Sequence, residues 1–116
     1  MSPLANKKED FFMELLHIGV PATQEMPGEK YKDAIKCYIT NPDENEYHFE
    51  YFRYMQDSPM PKQIWNNVHV AYKVENLKEA LAACDEVLLE EMQGTGRIIG
   101  FGVKDGVVLE LMEYTK

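Results

Sequence analysis

A chain of 116 residues favours one domain large enough to bury a core, and 45% apolar with 28% charged side chains is an ordinary globular make-up. With 12 basic against 20 acidic residues the net charge is −8, which repels phosphate backbones and anionic lipid, so nucleic acid and membrane are excluded as expected partners. No apolar run is long enough to span a bilayer, and MSPLANKKED lacks the apolar stretch of a secretory signal, so a cytoplasmic protein is expected.

In chain order, residues 1–10 are polar and read as a mobile segment or a loose helix. From Met13 the stretch LLHIGV alternates as a strand does, with Leu16, Ile18 and Val20 on one face and Leu15, His17 and Gly19 on the other. Pro21 ends it. PATQEMPGEKYK, 21–32, holds two prolines and a glycine and reads as a loop with at most one helical turn. IKCYIT, Ile35 to Thr40, reads as a strand. NPDEN, 41–45, is turn-forming throughout, and YHFEYFRYM, 47–55, is an aromatic-rich strand suited to core and dimer packing. QDSPMPK, with Pro59 and Pro61, is the expected linker between two halves.

The second half opens with NNVHVAYKV, Asn66 to Val74. Val68, Val70, Tyr72 and Val74 form the apolar face of a strand, with His69, Ala71 and Lys73 opposite. Asn76 is an N-cap with Glu79 three residues on, and Leu77, Ala80, Leu81 and Cys84 follow helical spacing to about Asp85. Glu86–Glu91 reads as a strand, with a continuation of the helix as the alternative, and Gly94-Thr95-Gly96 as a turn. Arg97–Lys104 and Val107–Tyr114 are strands joined by a tight Asp105-Gly106 turn. Cys37 and Cys84 lie 47 positions apart, form no CxxC pair, and read as buried reduced thiols.

The order of elements invites a search for an internal repeat. The first half opens LHIGV around His17 and the second VHVAY around His69. The first closes FEYFRY, 49–54, and the second LELMEY, 109–114. Each half thus begins with an apolar-flanked histidine and ends with apolar-Glu-apolar-apolar-x-Tyr. The His-to-Glu spacings are 33 (17 to 50) and 41 (69 to 110), the second being longer by its helix. A lone strand histidine is more often hydrogen-bonded structure than a ligand. Two histidines and two glutamates at matched ends of two half-copies are a different matter. If the halves pair about a pseudo-twofold, His17, Glu50, His69 and Glu110 converge, and imidazole nitrogen with carboxylate oxygen suits a divalent ion such as Zn, Ni, Mn, Co or Fe. The ion would also neutralise two carboxylates that are otherwise costly to bury.

At LHIGV, FEYF, NVHVAYKVENLKEAL and VLELME the chain resembles the vicinal oxygen chelate superfamily, the glyoxalase, bleomycin-resistance and extradiol dioxygenase fold. The resemblance covers about Met13 to Tyr114. It implies an α+β fold: one glyoxalase-like domain over 1–116, in which two βαβββ-type modules, about 13–57 and 64–116, curl into a mixed-sheet half-barrel around a cleft. It also implies that His17, Glu50, His69 and Glu110 are metal ligands, that Glu110 and Glu50 are catalytic, and that the chain pairs as a homodimer. In two respects the chain departs from the family. Residues 21–34 are too short and broken for the usual first helix. The basic residue that glyoxalase I places after its first histidine has no match in HIGVPA, which points away from a glutathione-dependent enzyme. Glu50 favours an isomerase, epimerase or lyase over a dioxygenase.

The implied chemistry is proton removal next to a carbonyl of a small substrate chelated through adjacent oxygens, passing through an enediolate. His48 rivals Glu50 as a ligand or base, and Phe52, Tyr54, Arg97 and Met112 are pocket candidates; Glu113 is expected at the surface. The aromatic strand and acidic surface also suit a metal-free protein that sequesters a small molecule, as bleomycin-resistance proteins do. The plainest alternative is a degenerate domain retained for dimerisation.

Overall fold

The structure, a computed structural model, describes residues 13–115; the polar segment 1–10 lies outside them. Eight strands form one curled mixed sheet, a half-barrel with few helices. β1 is Met13–Pro21, β2 Lys30–Lys32, β3 Cys37–Ile39, β4 Phe49–Tyr54, β5 His69–Val74, β6 Glu86–Gly94, β7 Arg97–Lys104 and β8 Val107–Tyr114. The helices are α1, Lys62–Trp65, and α2, Leu77–Ala82, with a single 3-10 turn at Pro42–Glu44. No helix among the described residues is long and apolar enough to cross a membrane.

Across the sheet the order is β2-β3-β4-β1-β5-β8-β7-β6. The two halves meet where β1 and β5 run antiparallel, and each of these strands is flanked on its other side by a parallel neighbour, β4 or β8. The registers match: Gly19, two residues past His17, stands beside Glu50, and Ala71, two residues past His69, stands beside Glu110. Four central strands therefore carry the four repeat-matched residues to one level of one face.

Local chemistry explains the elements that were expected. Asp105 and Gly106 both take positive φ, 51° and 83°, the turn geometry that suits the right-handed twist of β7 and β8. The Asn76 side chain accepts the Glu79 N–H at 2.9 Å and caps α2. Leu77 and Leu81 of α2 pack on Val74 and Leu111, and the outer face of β7 makes room for the helix with Gly100 and Gly102, where a Cβ would meet Leu81 Cδ1 at 2.9 Å and Cys84 Sγ at 2.6 Å.

Other expectations are corrected. The apolar face of the quoted strand is not its most buried one. Val68 precedes β5 and is 50% exposed, whereas His69 and Ala71 are buried, because the sheet curls toward their side. Leu15 does not share the face of His17. The pairing skips Leu16, with Leu15 beside Tyr72 and His17 beside Ala71, so a bulge resets the alternation and sends Leu15 outward, where it is exposed. The loop before β3 contains β2, and the expected strand Ile35–Thr40 shrinks to Cys37–Ile39 behind a turn with Lys36 at φ 51°. Tyr47 is exposed ahead of β4 rather than packed in the core. Glu113 is more than a surface charge: its carboxylate accepts the Leu77 N–H at 2.8 Å across the start of α2. Cys37 is buried as expected, while Cys84 is only half-buried.

The largest correction is the linker. Residues 58–65 fold into the concave side, where Met60 and Ile64 join Ala71, Ile99, Phe101, Val108 and Met112 in the main core. Ile64 is fully buried. Ser58 donates to the Ile35 carbonyl at 2.6 Å, tying the start of the segment down, and Trp65 Nε1 donates to the Met60 carbonyl at 2.9 Å, closing the segment on itself.

Candidate metal centre

His17 enters from β1, Glu50 from β4, His69 from β5 and Glu110 from β8, all on the concave face. One ligand atom from each lies within 4.8 Å of every other. His17 Nε2 stands 3.2 Å from Glu110 Oε1 and 3.3 Å from Glu50 Oε1; His69 Nε2 stands 3.1 Å from Glu110 Oε1 and 4.0 Å from Glu50 Oε1. The two imidazoles meet at 71°, ring centres 5.7 Å apart. His17, His69 and Glu110 are buried. The Glu50 side chain, 18% exposed, is the most open of the four.

These are ion-pair distances without the alignment of a good hydrogen bond. His17 Nε2 and both nitrogens of His69 are buried without a well-aligned hydrogen-bond partner, although carboxylate oxygens lie 3.1–3.3 Å from the two Nε2 atoms. Buried polar atoms rarely remain unpaired without a reason. Two imidazole nitrogens crowded against two carboxylates in this way form a set that a single cation could share. Two imidazole nitrogens with two carboxylates form a donor set for a borderline divalent ion, so the residues fit a metal.

The electrostatics agree. Burial works against the His17 imidazolium, but the Glu110 and Glu50 carboxylates outweigh it and raise its pKa from 6.5 to about 9. Burial also works against ionised Glu110, and the His17 and His69 imidazoles outweigh it, holding its carboxyl well below the usual range. In the metal-free chain at neutral pH a proton on His17 therefore does part of what a cation would do. Because the folded-state pKa of His17 lies above its unfolded value, the stability it contributes is complete below about 6.5 and is lost as pH climbs through about 9. The melting temperature of metal-free protein should fall across that window. Saturating divalent metal should flatten the fall and release about one proton per ion near pH 7. A metal-free melting temperature that is level from pH 6.5 to 9 would count against this charge assignment.

Phe52 stacks on His69, ring centres 5.1 Å apart. Tyr54 lies next along the same face, edge-on to Phe52 and stacked on Trp65 at 5.8 Å; burial raises the pKa of its hydroxyl, and burial pushes the neighbouring Cys37 thiol up to about 12. Met112 is buried in the core two residues past Glu110. His48 stands apart. It precedes β4 with φ 56°, its side chain is 57% exposed and faces Asp43 at 3.7 Å, so it does not share the strand face of Glu50 and is not part of the cluster. Arg97 lies at the far end of β7 beside Tyr114, separated from the cluster by Ile99 and Met112 of the core. Sequence reasoning missed Phe101, which meets His69 edge-on at 5.7 Å. Its signal was Gly100-Phe101-Gly102: glycine on either side of one large residue marks a strand approached closely on its opposite face.

The chain matches no protein-family model, no curated protein and no solved structure.

Proposed function

We propose that this chain is a metal-dependent enzyme of glyoxalase type, an isomerase, epimerase or lyase of the vicinal oxygen chelate superfamily, acting on a small substrate with two adjacent oxygens. In this reading the domain is two βαβββ-type modules, the first without its helix. The observation that carries it is the convergence of His17, Glu50, His69 and Glu110 from register-matched strands, with the facing imidazole nitrogens unpartnered. His17, His69, Glu50 and Glu110 would hold the ion. When bound, it supplies Lewis acidity that draws charge onto a substrate carbonyl oxygen.

The chain's own residues divide the remaining work. Glu110, buried against both imidazoles, is the fixed carboxylate. Glu50, the most exposed of the four and 4.0 Å from His69, is the one with room to move, and it takes and returns the proton next to the carbonyl. Phe52 and Phe101 wall His69 with apolar surface and keep water from that side.

Metal content tests the reading. Purified protein incubated with manganese, nickel, zinc or iron should retain about one ion per chain, and His69→Ala should lose it. No ion under any loading would turn the reading toward metal-free sequestration of a small aromatic or cationic compound.

A further inference from the structure

The cluster is close to two-fold symmetric, and its departure from symmetry singles out Gly19. Where β1 meets β5, His17 stands opposite Ala71 and His69 opposite Gly19. Both partners lie two residues beyond a histidine on the concave face, yet one carries a methyl group and the other nothing. Gly19 is absent from the positive-φ residues, so its backbone does not demand glycine. What it supplies is space. A Cβ on Gly19 would lie 2.1 Å from Cε1, 2.3 Å from Nε2 and 2.6 Å from Nδ1 of His69, far inside van der Waals contact.

The ring has nowhere to retreat. Phe52 stacks on it at an interplanar angle of 29°, Phe101 meets it edge-on at 88°, and His69 is 3% exposed. No hydrogen bond at its second nitrogen holds it either, since Nδ1 is buried and unpartnered. A metal-binding histidine is normally oriented by a hydrogen bond from its second nitrogen to a carbonyl or carboxylate. His69 has none.

We infer that Gly19 is the positioning residue of His69: the bare backbone of β1, with Phe52 and Phe101, fixes the imidazole by shape where a hydrogen bond ordinarily would, and so sets the direction of Nε2. The inference rests on reading His69 as a metal ligand, but the seat itself belongs to the metal-free chain.

Gly19→Ala tests it with two readouts. The first is metal. Affinity for zinc should drop by about 10-fold to 100-fold, the range seen when a ligand loses its orienting partner, and the visible spectrum of the cobalt-loaded variant should change. The second needs no metal. In proton NMR the His69 ring protons should carry an upfield shift from the stacked Phe52, and Gly19→Ala should abolish it for His69 while leaving His17 in place. Unchanged His17 resonances and circular dichroism in Gly19→Ala would separate a displaced ring from the loss of β1. Wild-type affinity and spectrum in Gly19→Ala overturn the inference. If the wild-type chain takes no metal, the reading of the cluster fails instead. The ring shift then decides alone: its loss in Gly19→Ala upholds the seat, and its persistence overturns it.

Discussion

Glu110→Gln should lower divalent-metal affinity by at least ~100-fold while the fold survives. Glutamine keeps the shape of the side chain and removes its charge. The site can ill tolerate that, because Glu110 Oε1 is the one atom close to both imidazoles, at 3.2 Å and 3.1 Å. Losing a partner that only orients a ligand costs about 10-fold to 100-fold in affinity, so losing a ligand belongs at or beyond the top of that range. The neutral amide also leaves the His17 imidazolium with Glu50 as its remaining carboxylate. Titration against a chelating dye measures the loss, and circular dichroism checks the fold. An affinity within threefold of wild type would remove Glu110 from the ligand set.

Ile64→Ala should destabilise the domain by about 2–5 kcal/mol, the usual range for emptying a fully buried aliphatic site. Ile64 is fully buried among Met60, Ala71 and Met112. Against a total of about 5–15 kcal/mol for a domain of this kind, the melting temperature should drop by ~10 °C or more. Ala71 and Met112 each sit two residues from a member of the cluster, His69 and Glu110, so metal affinity should fall as well, although no ligand has changed. Thermal denaturation and metal titration on the same sample measure both. A change below about 0.5 kcal/mol, within the range of an ordinary surface substitution, would return residues 58–65 to the role of a linker.

That segment marks where the sequence stopped being informative. Two prolines and a serine advertise a break, and they do break the strand pattern, but burial of Met60 and Ile64 depends on the curl of a sheet whose other strands lie far away in sequence. The bulge at Leu16 is hidden for the same reason. LLHIGV alternates cleanly on paper, and only the pairing with β5 shows that one residue is extra. β2 is three residues at an edge, too short for any period to register. Glu113 looked like a surface charge because its partner, the N–H of Leu77, is 36 residues away. What could be read was local or repeated. The Asn76 cap and the Asp105-Gly106 turn are decided within four residues, and that turn joins the two apolar runs that become β7 and β8. The His/Glu set was legible because it occurs twice, and a repeat carries long-range information that one strand does not. Which histidine needs a glycine beneath it was beyond reach, since that follows from the contact of β1 with β5.

β8 is the last described strand along the chain, yet it lies between β5 and β7 rather than at a margin of the sheet. The deepest carboxylate of the cluster therefore reaches its place late. A nascent chain that has emerged only as far as β7 holds His17, Glu50 and His69 without Glu110, and β5 still lacks its parallel neighbour. Pairings of this separation in sequence are also the slow ones to form. An ion held by all four residues would accordingly have to wait until β8 has been made and has paired: it would fill a formed cage and would not be the template on which the first half folds.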